Sequence, residues 1–204
     1  MLNQFLQMIA PVSCVCCGKS AELCCNEHLY EPGVVTFGAL PMHYLTTLDD
    51  ERHRAMVAFK DKGVTALGSR YAGATKSHLR TLGLSDLIVV VPPRNPRNYR
   101  TRGFHPALAV ANKLGLPVRS ARARKQLADQ RSLSAKDRAL NLSGAYELSN
   151  LSGEKVLLFD DVMTTGATLR ELHRAATVAG GQVTAGCVLA MRFPDFDPTD
   201  LKKA

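Results

Sequence analysis

Two adjacent carboxylates, Asp160 and Asp161, close an apolar run, Val156-Leu-Leu-Phe, and are followed by Val-Met and then Thr164-Thr165-Gly166-Ala167-Thr168. Four apolar residues read as a buried strand. The strand is expected to end at the acid pair, and a helical pattern runs from Leu169 to Ala179 after the turn. The first N–H groups of a helix have no partner within it, so they make an anion site suited best to phosphate. Gly166 lets backbone approach a ligand closely, and Thr164, Thr165 and Thr168 add hydroxyl donors. Two aspartates would repel a phosphate. They suit a ribose diol, which donates hydrogen bonds, or a cation. An ordinary strand-to-helix turn with an Asp near its N-cap explains one carboxylate, but neither the second nor the Thr-Thr-Gly-Ala-Thr run.

A second group able to do chemistry is the cluster Cys14-Val-Cys16-Cys17-Gly18 with Cys24-Cys25-Asn-Glu27-His28. Cys14 and Cys17 form a C-x2-C knuckle that turns two thiolates towards one ion. Cys24 and His28 are the natural second pair; Cys25 in place of Cys24 is the alternative. Zinc takes four such ligands tetrahedrally and leaves no open position, so the expected role is structural. A reducing compartment favours metal binding over disulfides for such a cluster.

Charge points to a polyanion. The chain carries a net charge of +8, and twelve basic residues between Arg94 and Arg138 face only Asp129 and Asp137. Pyrophosphate and nucleic acid both fit that field. No apolar run is long enough to span a membrane, so no membrane insertion is expected. The first ten residues lack a signal-peptide pattern, and Phe5, Leu6 and Ile9 suit a short docking helix. The cytoplasm is the expected compartment.

These groups need a frame to hold them. Expected strands cover residues 34–40, Leu84 to Val91, Leu116 to Val118, Tyr146 to Leu148, Lys155 onward and Gln182 to Met191. Expected helices start at Asp49, run from Val64 to Leu82 and from Phe104 to Leu114, and follow the acid-pair loop. Strands alternating with helices, with continuously apolar central strands, give an α/β fold with a parallel sheet. Its ligands belong at the carboxyl ends of strands, where the loops 92–104 and 160–168 should meet. Residues 120–143 are polar and basic and read as a flexible lid. The expected organisation is an N-terminal helix and zinc knuckle over 1–32, a main domain over 33–192, and a tail over 193–204.

The strand, acid pair, Thr-Gly loop and helix resemble the phosphoribosyl pyrophosphate (PRPP) motif of type I phosphoribosyltransferases. From Cys14 to Met191 the chain resembles one branch of them, the ComF family of competence proteins. Phe59-Lys60-Asp61-Lys62-Gly63 matches its aromatic-Lys-x-x-Gly, and Val89-Val90-Val91-Pro92-Pro93 leads to Arg102-Gly103-Phe104-His105, close to its Arg-Gly-Phe-Asn. Arg124, Gln130, Leu133-Ser134, Arg138 and Asn141 follow its lid pattern. The chain departs from the family at Glu27, where a Cys is usual, and at His105, where Asn is usual.

The resemblance implies that Asp160 and Asp161 contact the ribose hydroxyls and that Thr164, Thr165, Gly166, Ala167 and Thr168 hold the 5′-phosphate. It implies Mg²⁺ with PRPP, and pyrophosphate held near Pro93, Arg100, Arg124 and Lys125, with Arg102 beside the aspartates in the catalytic set. The implied role is DNA uptake in natural transformation or nucleotide-related phosphoribosyl transfer, with single-stranded DNA and other competence proteins as partners. The alternative is a non-catalytic factor that binds DNA or docks a partner and uses PRPP only as a ligand. Purine-using relatives place an acid where this chain has Thr164, which leaves His105 as the candidate to handle a base proton.

Overall fold

The computed structural model describes residues 13–20, 23–124 and 142–193. The expected N-terminal helix around Phe5, Leu6 and Ile9, most of the expected lid including Lys125 and Arg138, and residues beyond Phe193 lie outside the described residues. A short helix α1 (Asn26–Leu29) precedes the hairpin β1 (Gly33–Phe37) and β2 (Leu40–Thr47). Helices α2 (Asp50–Lys60) and α3 (Ala66–Thr81) lead to β3 (Ile88–Val91). Then come α4 (Pro96–Arg102), α5 (Pro106–Ala111) and the short strands β4 (Val118–Ser120), β5 (Arg122–Ala123) and β6 (Tyr146–Glu147). The described chain ends with β7 (Lys155–Met163), α6 (Ala167–Val178) and β8 (Gln182–Met191).

Six strands form one sheet in the order β1-β2-β8-β7-β3-β4, parallel except for the β1–β2 hairpin. The apolar runs explain why the centre is covered on both faces. Val89, Val91, Leu157, Phe159, Cys187 and Leu189 point into one buried cluster with α2, α3 and α5. Their neighbours Ile88, Val90, Val156, Leu158 and Val188 point into the other with α6. Helix α5, which follows β3, therefore lies on one face and α6, which follows β7, on the other, which opens a crevice between the carboxyl ends of these two neighbouring strands.

Four local expectations change. Residues 34–40 are not one strand: the chain turns at Gly38, whose φ is 65°, and returns as β2, which pairs with β8 in the sheet. Strand β7 does not stop at the acid pair, because Asp160, Val162 and Met163 still align with Val188, Ala190 and Met191 of β8. Strand β3 begins at Ile88 rather than Leu84. The start of the expected lid is strand β5, paired antiparallel with β6 in a separate two-stranded sheet.

The knuckle shares the main core. Cys14, Cys16, Cys24 and Leu29 belong to the same buried cluster as Phe59, Tyr71 and Leu157. Nearby, His43 of β2 and His78 of α3 are both buried, with ring centroids 5.5 Å apart. The Tyr30 hydroxyl lies 3.0 Å from His78 Nδ1. Burial lowers both imidazoles, and His43 is lowered further by the facing His78. Their stability contribution is complete above the unfolded pKa near 6.5 and is lost as pH falls from there towards the depressed folded values. Melting temperatures measured from pH 7 to pH 5 should therefore fall. His43→Leu should flatten that slope by up to about 1.4 kcal/mol per pH unit, the limit for one proton.

Candidate functional site

A cleft of about 430 Å³ opens at the carboxyl ends of the strands, lined by Lys60, Asn98, Asp160 and the whole loop from Thr164 to Thr168. Gly166 is the N-cap residue of α6, with φ 72° and no side-chain cap. No acid sits in the first turn of that helix. Its positive end is thus left to whatever occupies the cleft. The left-handed φ and the floor beneath both demand glycine here. A Cβ at Gly166 would lie 2.5 Å from Phe37 Cε2 and 3.0 Å from Met163 Cε. Thr165 Oγ1 accepts from Ala167 N at 3.5 Å, which folds the loop back on the helix.

The acid pair is asymmetric. Asp160 lines the cleft and is 8% exposed. Burial, with the neighbouring Asp161 charge, pushes its carboxyl well above the usual range. Asp161 is ionised beside Lys60, whose Nζ lies 2.9 Å from Oδ2. Burial pushes Asp161 up too, but the Lys60 charge and hydrogen bond outweigh it and bring the group below its ordinary value. Backbone also holds the pair: Asp161 N donates to Asp160 Oδ1 and Val162 N to Asp161 Oδ1, each at 2.8 Å.

Glu171 secures the helix behind the loop. Its buried carboxylate accepts from Gly144 N and Tyr146 N and pairs with Arg174 at 2.7 Å. This joins α6 to β6. Burial raises Glu171, yet Arg174 and the two backbone donors leave it below its ordinary pKa.

The basic residues expected at the cleft are dispersed. Arg102 directs Nε and Nη2 at Asp61 Oδ1, both at 2.9 Å, and does not line the cleft. Arg100 belongs to α4, which buries no residue, and Pro93 is half-buried just past β3. Arg124 pairs with Glu147 at 3.0 Å. His105 is the N-cap of α5: Nδ1 accepts from Leu108 N, so Nε2 carries the proton and meets Pro92 O at 3.1 Å. Both ring nitrogens are engaged with backbone, which leaves neither to act as a base. Lys60 and Asn98 are the polar cleft residues to which motif reading gave no role.

The cysteine cluster forms a second site. The ligand atoms of Cys14, Cys17, Cys25 and His28 all lie within 4.8 Å of one another. Cys25, not Cys24, joins His28, because α1 starts at Asn26 with Cys25 as its N-cap residue. Cys24 turns inward instead, with its sulfur 3.8 Å from that of Cys16. The sulfurs of Cys14 and Cys25 are 3.4 Å apart, and those of Cys17 and Cys25 3.7 Å. Thiolates on a tetrahedral zinc would be about 3.8 Å apart, so the group fits that ion. His28 Nε2 meets Glu51 Oε2 at 2.9 Å, the carboxylate partner that orients a ligating imidazole. Burial pushes the Cys14 thiol up, but the N–H groups of Cys17, Cys25 and Cys16 outweigh it and bring it down to about 6.

Residues 71–194 match the family model of the phosphoribosyl transferase domain. The chain is 36% identical over 103 residues to competence protein F of Haemophilus influenzae, a match covering 46% of this chain and 44% of that protein. It is 40% identical over 95 residues to adenine phosphoribosyltransferase of Corynebacterium efficiens, covering 44% and 48%. Each match spans less than half of the curated relative. The solved adenine phosphoribosyltransferase of Leishmania tarentolae superposes with a TM-score of 0.46 at 10% identity, covering 81% of this chain and 97% of that one. Among the described residues no helix is long and apolar enough to cross a membrane.

Proposed function

The chain belongs to the phosphoribosyl transferase domain family, and on that premise we propose that its cleft binds PRPP as a phosphoribosyl donor. The observation that carries this reading is the uncapped N-terminus of α6 opening on the same cleft as Asp160. The amides of residues 166–168 and the hydroxyls of Thr164, Thr165 and Thr168 hold the 5′-phosphate. Asp160, which lines the cleft, takes the ribose hydroxyls, with Asp161 beside it held by Lys60. Departure of pyrophosphate leaves an electron-poor ribosyl centre, so the protein's work is positioning, stabilising charge and excluding water. Mg²⁺ would be held by Asp160 together with ligand oxygens and would supply positive charge to the leaving group. Zinc on Cys14, Cys17, Cys25 and His28 has a structural role.

Calorimetry with PRPP and with ribose 5-phosphate tests the reading. Both should bind, and Thr165→Val should weaken both by about tenfold, the effect of losing one hydrogen bond to a charged phosphate. Pyrophosphate release in a screen of nitrogenous bases then tests turnover. Absence of binding by either ligand would end the reading.

A second reading, handling of single-stranded DNA, is favoured by the basic segment around α4. This basic helix buries no side chain, and the Arg94 guanidinium just before it lies 4.4 Å from the centroid of its Tyr99 ring. Such a surface grips phosphates and stacks a base.

A further inference from the structure

Lys60 has a place in the cleft that its motif did not assign. Three consecutive residues at the end of α2 have three separate anchors. Phe59 is buried between Tyr71 and Phe104, with centroids 5.7 and 5.4 Å away. Lys60 reaches Asp161, and Asp61 receives Arg102. The ammonium position is therefore imposed by the fold rather than sampled by a free surface chain. Only 19% of the Lys60 side chain is exposed, against 15% of Asp161.

Lys60 also faces the cleft, which Asp161 itself does not line. An ammonium has three donors, and Asp161 takes one of them. Because Lys60 lines the cleft, the others can be offered to a ligand there. A phosphoribosyl ester brings several negative charges to a place already holding two carboxylates, and some cation must offset them. Lysine does so as a permanent part of the chain.

We propose that Lys60 is a resident cation of the cleft: it offsets Asp161 and meets the phosphates of the ligand, so this chain binds PRPP without a divalent cation. The inference rests on the ligand reading above. It makes Lys60 a binding residue and removes the need for Mg²⁺ in binding, leaving that ion to any later step.

The test is calorimetry with PRPP in chelator and in Mg²⁺. Wild type should bind in both, with dissociation constants within about fivefold. Lys60→Met should weaken binding in chelator by about 30-fold or more, the cost of deleting one partner of a sheltered charge contact. Mg²⁺ should restore it, and Lys60→Arg should remain independent of the metal. Unchanged melting curves confirm that each variant is folded, and the wild-type comparison needs no variant at all. Wild-type binding that requires Mg²⁺, or Lys60→Met binding unchanged in chelator, overturns the inference and leaves the ligand reading intact. No binding of PRPP or ribose 5-phosphate under either condition overturns both.

Discussion

Gly166→Ala is expected to lower affinity for ribose 5-phosphate by about 100-fold, the scale of effect when a binding geometry shifts by about 1 Å. Two separate forces act on that one methyl. The backbone sits at φ 72°, where a side chain costs roughly 1–2 kcal/mol. The new Cβ would also meet Phe37 Cε2 at 2.5 Å and Cζ at 3.0 Å. Phe37 is 6% exposed and packed in the α6-side cluster, so the ring cannot swing into solvent. Overpacking of that kind costs about 1–3 kcal/mol. The loop must then lift, and it takes the first amides of α6 with it.

The two forces can be separated. Phe37→Leu in the Gly166→Ala background relieves the contact but not the dihedral. It should regain part of the lost stability, at about 2–4 °C of melting temperature per kcal/mol, and only part of the affinity. Gly166→Ala protein that binds ribose 5-phosphate within about threefold of wild type would show that this loop does not hold the phosphate.

What could be read from the chain divides by range. Strands β3, β7 and β8 and helix α6 were legible because continuous apolar runs and a 3.6-residue period are local signals. Strand β2 was not, since His43, Tyr44 and Thr46 interrupt its apolar pattern although it lies inside the sheet between β1 and β8. Helix α4 has no apolar face to detect. Its caps were the available signal: Asn95 accepts from Arg97 N and Asn98 N, Pro96 opens the helix, and Gly103 closes it at φ 76°.

The same division runs through the cleft. Loop 164–168 is contiguous in sequence, so its chemistry could be read directly. The partners of Asp161 and Arg102 could not, because Lys60 and Asp61 arrive from another helix and only the folded sheet brings them there. The resemblance implied that Arg102 would serve the ligand; an acid next door in space, Asp61, claims it instead. His105 had the right residue type for proton transfer, yet its backbone bonds make it a cap.

Metal removal should have the largest effect on the folded state. Purified protein should hold one zinc per chain, and chelation should unfold the knuckle and lower the melting temperature by tens of degrees. Structural zinc contributes about 10–16 kcal/mol of apparent binding energy in isolated fingers. The loss would spread beyond the knuckle here, since Cys14, Cys16, Cys24 and Leu29 share the core with Phe59 and Tyr71. It would also reach α2, which is tied to the knuckle by Glu51 on His28 and by Arg54 on the Cys16 carbonyl at 2.7 Å. That helix ends at Lys60, so ligand affinity should fall with the metal. Two single variants decide the ligand set. Cys25→Ser should lose the zinc, whereas Cys24→Ser should keep it and show only the modest cost of a hydroxyl placed in a fully buried thiol position. Zinc retained by Cys25→Ser, or lost from a folded Cys24→Ser, would return the ligand set to the spacing-based choice of Cys24.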